Sequence, residues 1–237
     1  MTTVCLGIIH AAHLPERRAS MARLRAALFP LPPWVTHYRE HNEREPSRQW
    51  GPRSWGWALE TGAEFSLSVN DDVLPPPRDV FWGALEAMLH VLPRHAVLGL
   101  GTVDPPLSVA HGKGERWLRL DHASTVGWGV GLWREELELL YREERALPPG
   151  HRSPHSHDEC PPDCYLWHED SWSNLVFDQA SPRRYVWHPV PAILDHDTSI
   201  PSTFQGHDNH KARRPSVTWR DFPWVDLTRV EFWRQDT

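Results

Sequence analysis

The clearest pattern in the chain lies in residues 64–73. Phe65, Leu67 and Val69 are apolar and alternate with Ser66 and Ser68. A period of two predicts a strand with one buried face. Asn70, Asp71 and Asp72 follow at its end, and Pro75, Pro76 and Pro77 stop any continuation. Residues 4–9 form a continuous apolar run, which suits a strand buried on both faces. Residues 10–13 read as a loop, and Pro15 sits where a first helical turn would begin. Met21, Leu24 and Leu28 recur at spacings of three and four, so a helix is predicted over residues 15–28.

Further along, residues 34–38 predict a second strand. Residues 39–53 are polar and aperiodic, which predicts a surface loop leading to a short helix over 54–61. Phe81, Leu85, Met88 and Leu89 predict a helix with Asp79 as its N-cap. Residues 96–100 predict a buried strand, 104–121 a loop or hairpin excursion, and 125–132 a strand broken by Gly127, Gly129 and Gly131. Glycines inside a strand let backbone or a ligand approach closely. They do not form a dinucleotide fingerprint, because strand, glycines and helix do not follow in that order and spacing. Helices are predicted over 134–144 and from Glu169 onward, and short strands over 185–187 and 190–194. Residues 146–162 form a loop rich in Pro and His, and 196–219 are irregular. Weak strand signals at 224–225 and 230–233 close the chain. Strands alternating with helices predict an α/β fold, which places ligands at the C-terminal ends of its strands.

Composition narrows the choice of function. A chain of 237 residues, 40% of them hydrophobic, is long enough for one large domain or two small ones with a real core. The net charge of −6 argues against coating nucleic acid by bulk charge, although Lys211, Arg213 and Arg214 make a local basic cluster. No apolar run is long enough to span a bilayer, and no basic region precedes the first apolar run, so a cytoplasmic protein is expected. Three cysteines make a disulfide framework a poor explanation of the fold.

The order of segments resembles the type-A fold glycosyltransferases, and in particular the lipopolysaccharide-biosynthesis (family 25-like) glycosyltransferases. The similar stretches are Leu14-Pro15-Glu16-Arg17-Arg18, residues 57–65 leading into Asn70-Asp71-Asp72-Val73, and Pro191 through His196 with Ser199. The resemblance implies a single-domain nucleotide-binding sandwich over residues 1–200, with a mixed central sheet flanked by helices. Residues 201–237 would be an irregular extension packed on it. It implies a nucleotide-sugar donor, and an acceptor hydroxyl on a glycan or on a hydroxylated nucleobase in DNA. It also implies a divalent cation, manganese or magnesium, held on the donor diphosphate by Asp71, Asp72 and His196. Asn70 stands where the family has an acid, and an amide oxygen can ligate but carries no charge. The donor would face His10, Ala11, Arg17, Asn70, Asp71, Asp72, Gly127 and Trp128.

Each of these groups also has a plainer reading. Asn-Asp-Asp before prolines is good turn chemistry. Arg17 could neutralise a phosphate or lie on a solvated helix face. An inverting transfer needs a base for the acceptor hydroxyl, and Asp170 is the first candidate with Glu169 second. Acids at a helix start also simply suit the dipole there. His155, His157, Cys160, Cys164 and His168 could hold a structural zinc, or form a loop with free thiols or a local disulfide. Trp55, Trp57 and Trp128 could stack on a sugar or base, or pack in the core. Two other functions stay open: a binding module without turnover, and a metal-dependent phosphohydrolase using Asp71 and Asp72.

Overall fold

A computed structural model describes residues 1–42, 47–101, 117–119, 129–146, 169–189, 191–197, 199–200, 218–221 and 226–227. The core of the chain is a seven-stranded mixed sheet in the order β2-β1-β3-β7-β5-β8-β6. Its strands are β1 (Val4–His10), β2 (Val35–Asn42), β3 (Phe65–Asn70), β5 (Ala96–Gly99), β6 (Trp117–Arg119), β7 (Gly129–Trp133) and β8 (Tyr185–Pro189). β1 runs parallel to β2 and β3, β7 is antiparallel to β3 and β5, and β8 is parallel to β5. A separate two-stranded ribbon pairs β4 (Val73–Leu74) with β9 (Asp195–His196). The helices are α1 (Pro15–Leu28), α2 (Ser47–Thr61), α3 (Arg78–Val91), α4 (Arg134–Ala146) and α5 (Glu169–Gln179). This is the α/β sandwich that the alternating elements predict.

Strand alternation divides the core into two layers. Val4, Leu6 and Ile8 of β1 and Phe65, Leu67 and Val69 of β3 pack against Met21, Leu24 and Leu28 of α1 and Phe81, Leu85 and Met88 of α3. The opposite face brings Cys5, Val97 and Leu132 against Ala58 of α2, Leu137 and Leu140 of α4, and Phe177 of α5. The uninterrupted apolar run of β1 follows from this, because both of its faces are covered.

Several elements differ from their predicted bounds. β2 extends to Asn42, well into the expected loop, and α2 begins at Ser47. β2 is an edge strand, so its polar residues can face water while its backbone pairs with β1 as far as His10 and Asn42. α3 begins at Arg78 with Pro77 as its cap residue, so Asp79 does not cap it and pairs with Arg78. The run at 191–194 is not a strand. It is a buried irregular segment tied on by a hydrogen bond from the Leu194 amide to the Leu100 carbonyl, and strand pairing starts only at Asp195. The glycines of β7 serve packing. A Cβ on Gly131 would come within 2.4 Å of the Phe65 ring, and one on Gly129 within 2.4 Å of Leu194. Residues 125–128 and the strand signals at 224–225 and 230–233 lie outside the described residues.

Phe65 also meets Trp133 edge to face, with ring centroids 5.0 Å apart, so it has little room to retreat. Gly131→Ala is expected to destabilise the fold by about 1–3 kcal/mol, the range for overpacked cores. A urea titration of the two proteins would measure the difference.

Candidate functional site

Two strands end together on one edge of the sheet. In register, Ile9 pairs with Asn70, so the loop after β1 and the turn after β3 leave at the same level. The chain passes from β1 to β2 on one side and from β3 towards β5 on the other. The strand order therefore reverses between β1 and β3.

The turn holds the two carboxylates in place through its backbone. The Asp71 amide donates to the Ile9 carbonyl at 3.0 Å, and the Asp197 amide donates to the Asp72 carbonyl at 2.8 Å. Asp71 is fully buried, and the Ala11 amide donates to its Oδ2 at 3.1 Å. Arg17, only 2% exposed, reaches in from the first turn of α1. Its Nη2 lies 2.8 Å from Asp71 Oδ1, and its Nη1 donates to Asp72 Oδ2. His196 Nε2 lies 3.3 Å from that same Asp72 oxygen. A contact with a carboxylate places the proton on this nitrogen. His10 Nε2 stands 3.8 Å from Asp71 Oδ2.

The late segment is fastened over the pair from both sides. Arg23 of α1 donates to Asp197 at 2.7 Å, and Arg220 donates to Asp195 at 3.2 Å. The Trp219 indole donates to the Leu74 carbonyl at 3.1 Å, and Thr218 bridges to Ala192. Only His196 of this segment stands out in the sequence. The acids on either side of it, Asp195 and Asp197, are what anchor it.

The predicted donor group is brought together only in part. His10, Ala11, Arg17, Asp71, Asp72 and His196 converge. Asn70 does not join them around the guanidinium. Phe65, Leu67 and Val69 face α1 and α3, so the alternation of β3 turns Asn70 towards the other face. Glu169 and Asp170 begin α5, as predicted, while their side chains lie outside the described residues. Gly127, Trp128 and the candidate zinc ligands His155, His157, Cys160, Cys164 and His168 also lie outside them, as do Lys211, Arg213 and Arg214. Trp55 is a buried core residue, and Trp57 meets the His41 ring edge to face at 5.2 Å.

No pattern of residues marks His41, which is 8% exposed on the face opposite α1 and lies over Gly7. Burial pulls its pKa down to about 4, with Arg39 adding to the effect. Burial alone would raise the Asp72 carboxyl. Its contacts with His196 and Arg17 outweigh that and hold it below its ordinary value. Burial lowers His10 as well, against the opposing pull of Glu40.

A divalent cation fits this donor set poorly. Asp71 Oδ1, Asp71 Oδ2 and Asp72 Oδ2 all face N–H donors, and one of those donors already carries a positive charge. Asp72 Oδ1 and Asn70 Oδ1 are buried oxygens without a hydrogen-bond partner, and they belong to residues on different sides of the strand. Magnesium demands a near-octahedral shell and calcium six or more oxygens. Among the described residues no group of three His, Cys, Asp or Glu side chains could hold a metal ion.

No protein-family model and no curated protein matches the sequence. Among solved structures, the chain is similar to A197 from STIV at 11% identity and a TM-score of 0.45, covering 99% of this chain and 100% of that one. It is similar to mannose-1-phosphate geranyltransferase from Thermus thermophilus at 13% identity and a TM-score of 0.41, covering 79% and 76% of the two chains. Likeness at this level bears on neither substrate nor reaction. Among the described residues no helix is long and apolar enough to cross a membrane.

Two pH effects follow. Asp72 has a folded pKa below its unfolded one, so its pairing stabilises fully above the unfolded value and is lost as pH falls through the folded one. Asp72→Asn should cost roughly 3 kcal/mol near pH 7, with the gap to the wild type closing below about pH 4. Urea melts of both proteins at stepped pH would test this. His41 stays neutral when folded, so the unfolded chain takes up the extra proton between about pH 6.5 and 4. Its burial therefore removes stability as pH falls through that window, and His41→Gln should flatten the curve there.

Proposed function

We propose that this chain is a nucleotide-sugar-dependent glycosyltransferase with the type-A sandwich, moving a sugar to an acceptor hydroxyl. One observation carries the reading. The Asp71–Asp72 pair, at the C-terminal end of β3, is bonded to the loop after β1 where the strand order reverses. Open α/β sheets bind ligands at such a point. The donor diphosphate would lie along this edge, facing His10, Ala11 and the first turn of α1. Sugar transfer leaves negative charge on the departing nucleoside diphosphate, and the N-terminus of α1 and its arginines suit that charge. Asp170 would take the proton of the acceptor hydroxyl, with Glu169 as the second candidate. Gly127 and Trp128 would border the donor. Residues 1–200 would form the catalytic unit, working in the cytoplasm, with 201–237 packed against it. The acceptor would be a glycan, or a hydroxylated base in DNA held with help from Lys211, Arg213 and Arg214.

Incubating the protein with nucleotide sugars and candidate acceptors, followed by product analysis, should reveal a glycosylated acceptor and free nucleoside diphosphate. Asp170→Asn should slow that transfer by about 10²–10⁴-fold, the usual worth of a general base. Free sugar without a glycosylated acceptor would mean hydrolysis. No calorimetric binding of any nucleoside diphosphate would end the donor-site reading.

The complete burial of Asp71 favours a second reading, a sugar- or nucleotide-binding module without turnover. Asp72→Ala separates the two. An enzyme loses its product, while a binder loses only part of its affinity.

A further inference from the structure

We infer that Arg17 is a built-in cation that occupies the place of a divalent metal at the acidic pair, so that an anionic ligand at this edge is bound without metal. This deepens the donor-site reading and rests on it only for what the anion is. The guanidinium lies between Asp71 and Asp72 and contacts both. It is 2% exposed and comes from a helix, so it is as fixed as the sheet edge it joins. Arginine stays charged throughout the pH range of proteins, and its flat fork can meet two carboxylates at once. A metal entering here would have to compete with it for Asp71 Oδ1 and Asp72 Oδ2, the oxygens it already holds.

The neighbouring groups point the same way. Asp71 Oδ2 accepts from the Ala11 amide, and a main-chain donor cannot turn aside. Asp72 Oδ2 also accepts from His196, whose Nε2 carries a proton in that contact and has no lone pair for a metal. Both carboxylates already face one permanent cation, the Arg17 guanidinium. A divalent ion beside Arg17 would meet a like charge, with one free Asp72 oxygen as its anionic ligand.

Manganese itself is the probe. Electron paramagnetic resonance of free Mn²⁺, titrated with wild-type protein, should show no uptake that Asp72→Asn removes. The melting temperature should be equal in Mn²⁺ and in EDTA. Arg17→Ala opens the space and leaves both carboxylates uncompensated, so Mn²⁺ should raise its melting temperature towards the wild-type value. Saturable Mn²⁺ uptake by the wild type that Asp72→Asn abolishes would overturn the inference. A folded Arg17→Ala protein indifferent to Mn²⁺ would overturn it too. Should that variant not fold, the wild-type titration decides alone. Nucleoside diphosphate should bind with affinities within about twofold in Mn²⁺ and in EDTA, since a metal-free site has no coupling to the ion. Binding only with Mn²⁺ overturns the inference. No binding in either buffer removes the donor-site reading and leaves the Mn²⁺ titration to decide the cation.

Discussion

Three segments far apart in the chain meet at one buried guanidinium. Arg17 comes from α1, Asp71 and Asp72 from the turn after β3, and His196 from β9, where it meets the same Asp72 oxygen as Arg17. Charges taken out of water are costly, and the cost is offset only where geometry is good and spare oxygens are bonded. Here the Ala11 amide bonds Asp71 Oδ2 and His196 adds to Arg17 at Asp72 Oδ2, while Asp72 Oδ1 has no hydrogen-bond partner. The arrangement fixes the spacing of β1, β3 and the β4–β9 ribbon more tightly than apolar packing alone would, since hydrophobic contact has no direction. The edge that holds the candidate site is thus set by ionic contacts, while the body of the domain is set by burial.

The burial is divided unequally. The layer on the α1 and α3 side carries the large side chains of β1 and β3, with Trp34 and Trp82 meeting edge to face beneath them. Among the described residues, the layer on the α2 and α4 side is smaller and includes Cys5, Ala58 and Ala63. A second buried ion cluster sits there. Arg184 and His95 both meet Glu136, which burial pushes above its ordinary pKa despite Arg184. It joins the start of α4 to the chain entering β5 and β8, which is the opposite edge from Asp71 and Asp72. The sheet is therefore clasped by charges at both ends of its strands.

Much of this was legible from pattern alone. The alternation in β3, the spacing in α1 and the unbroken run of β1 each named their element, because each reflects burial on a known face. The acids at the end of β3 were legible as a turn closing a strand, but their burial was not. Other parts were hidden for physical reasons. The end of β2 is polar because an edge strand needs only its backbone to pair. The start of α2 contains Gly51 and Pro52, which carry no helical period. The apolar run at 191–194 looks like a strand because burial, not pairing, makes it apolar. The inward turn of Arg17 could not be read from sequence, because an arginine on a helix is ordinarily exposed. The poor fit of a divalent cation to the acidic motif was hidden in the same way, since Arg17 lies 55 positions from Asp72.

The β4–β9 ribbon pairs Val73 with His196, so the loop it closes holds just over half of the chain. A ribosome adds about 5–20 residues per second, so several seconds separate the emergence of these partners. By the time Val73 appears, β1, α1, β2, α2 and β3 have all been made, and Arg17 is already available to both acids. The imidazole and the backbone of Asp197 arrive last, and they cover a charge that one cation has guarded alone during synthesis. The nascent chain would therefore hold the end of β3 by charge while the long side of that strand stays unpaired until Gly129–Trp133 is made.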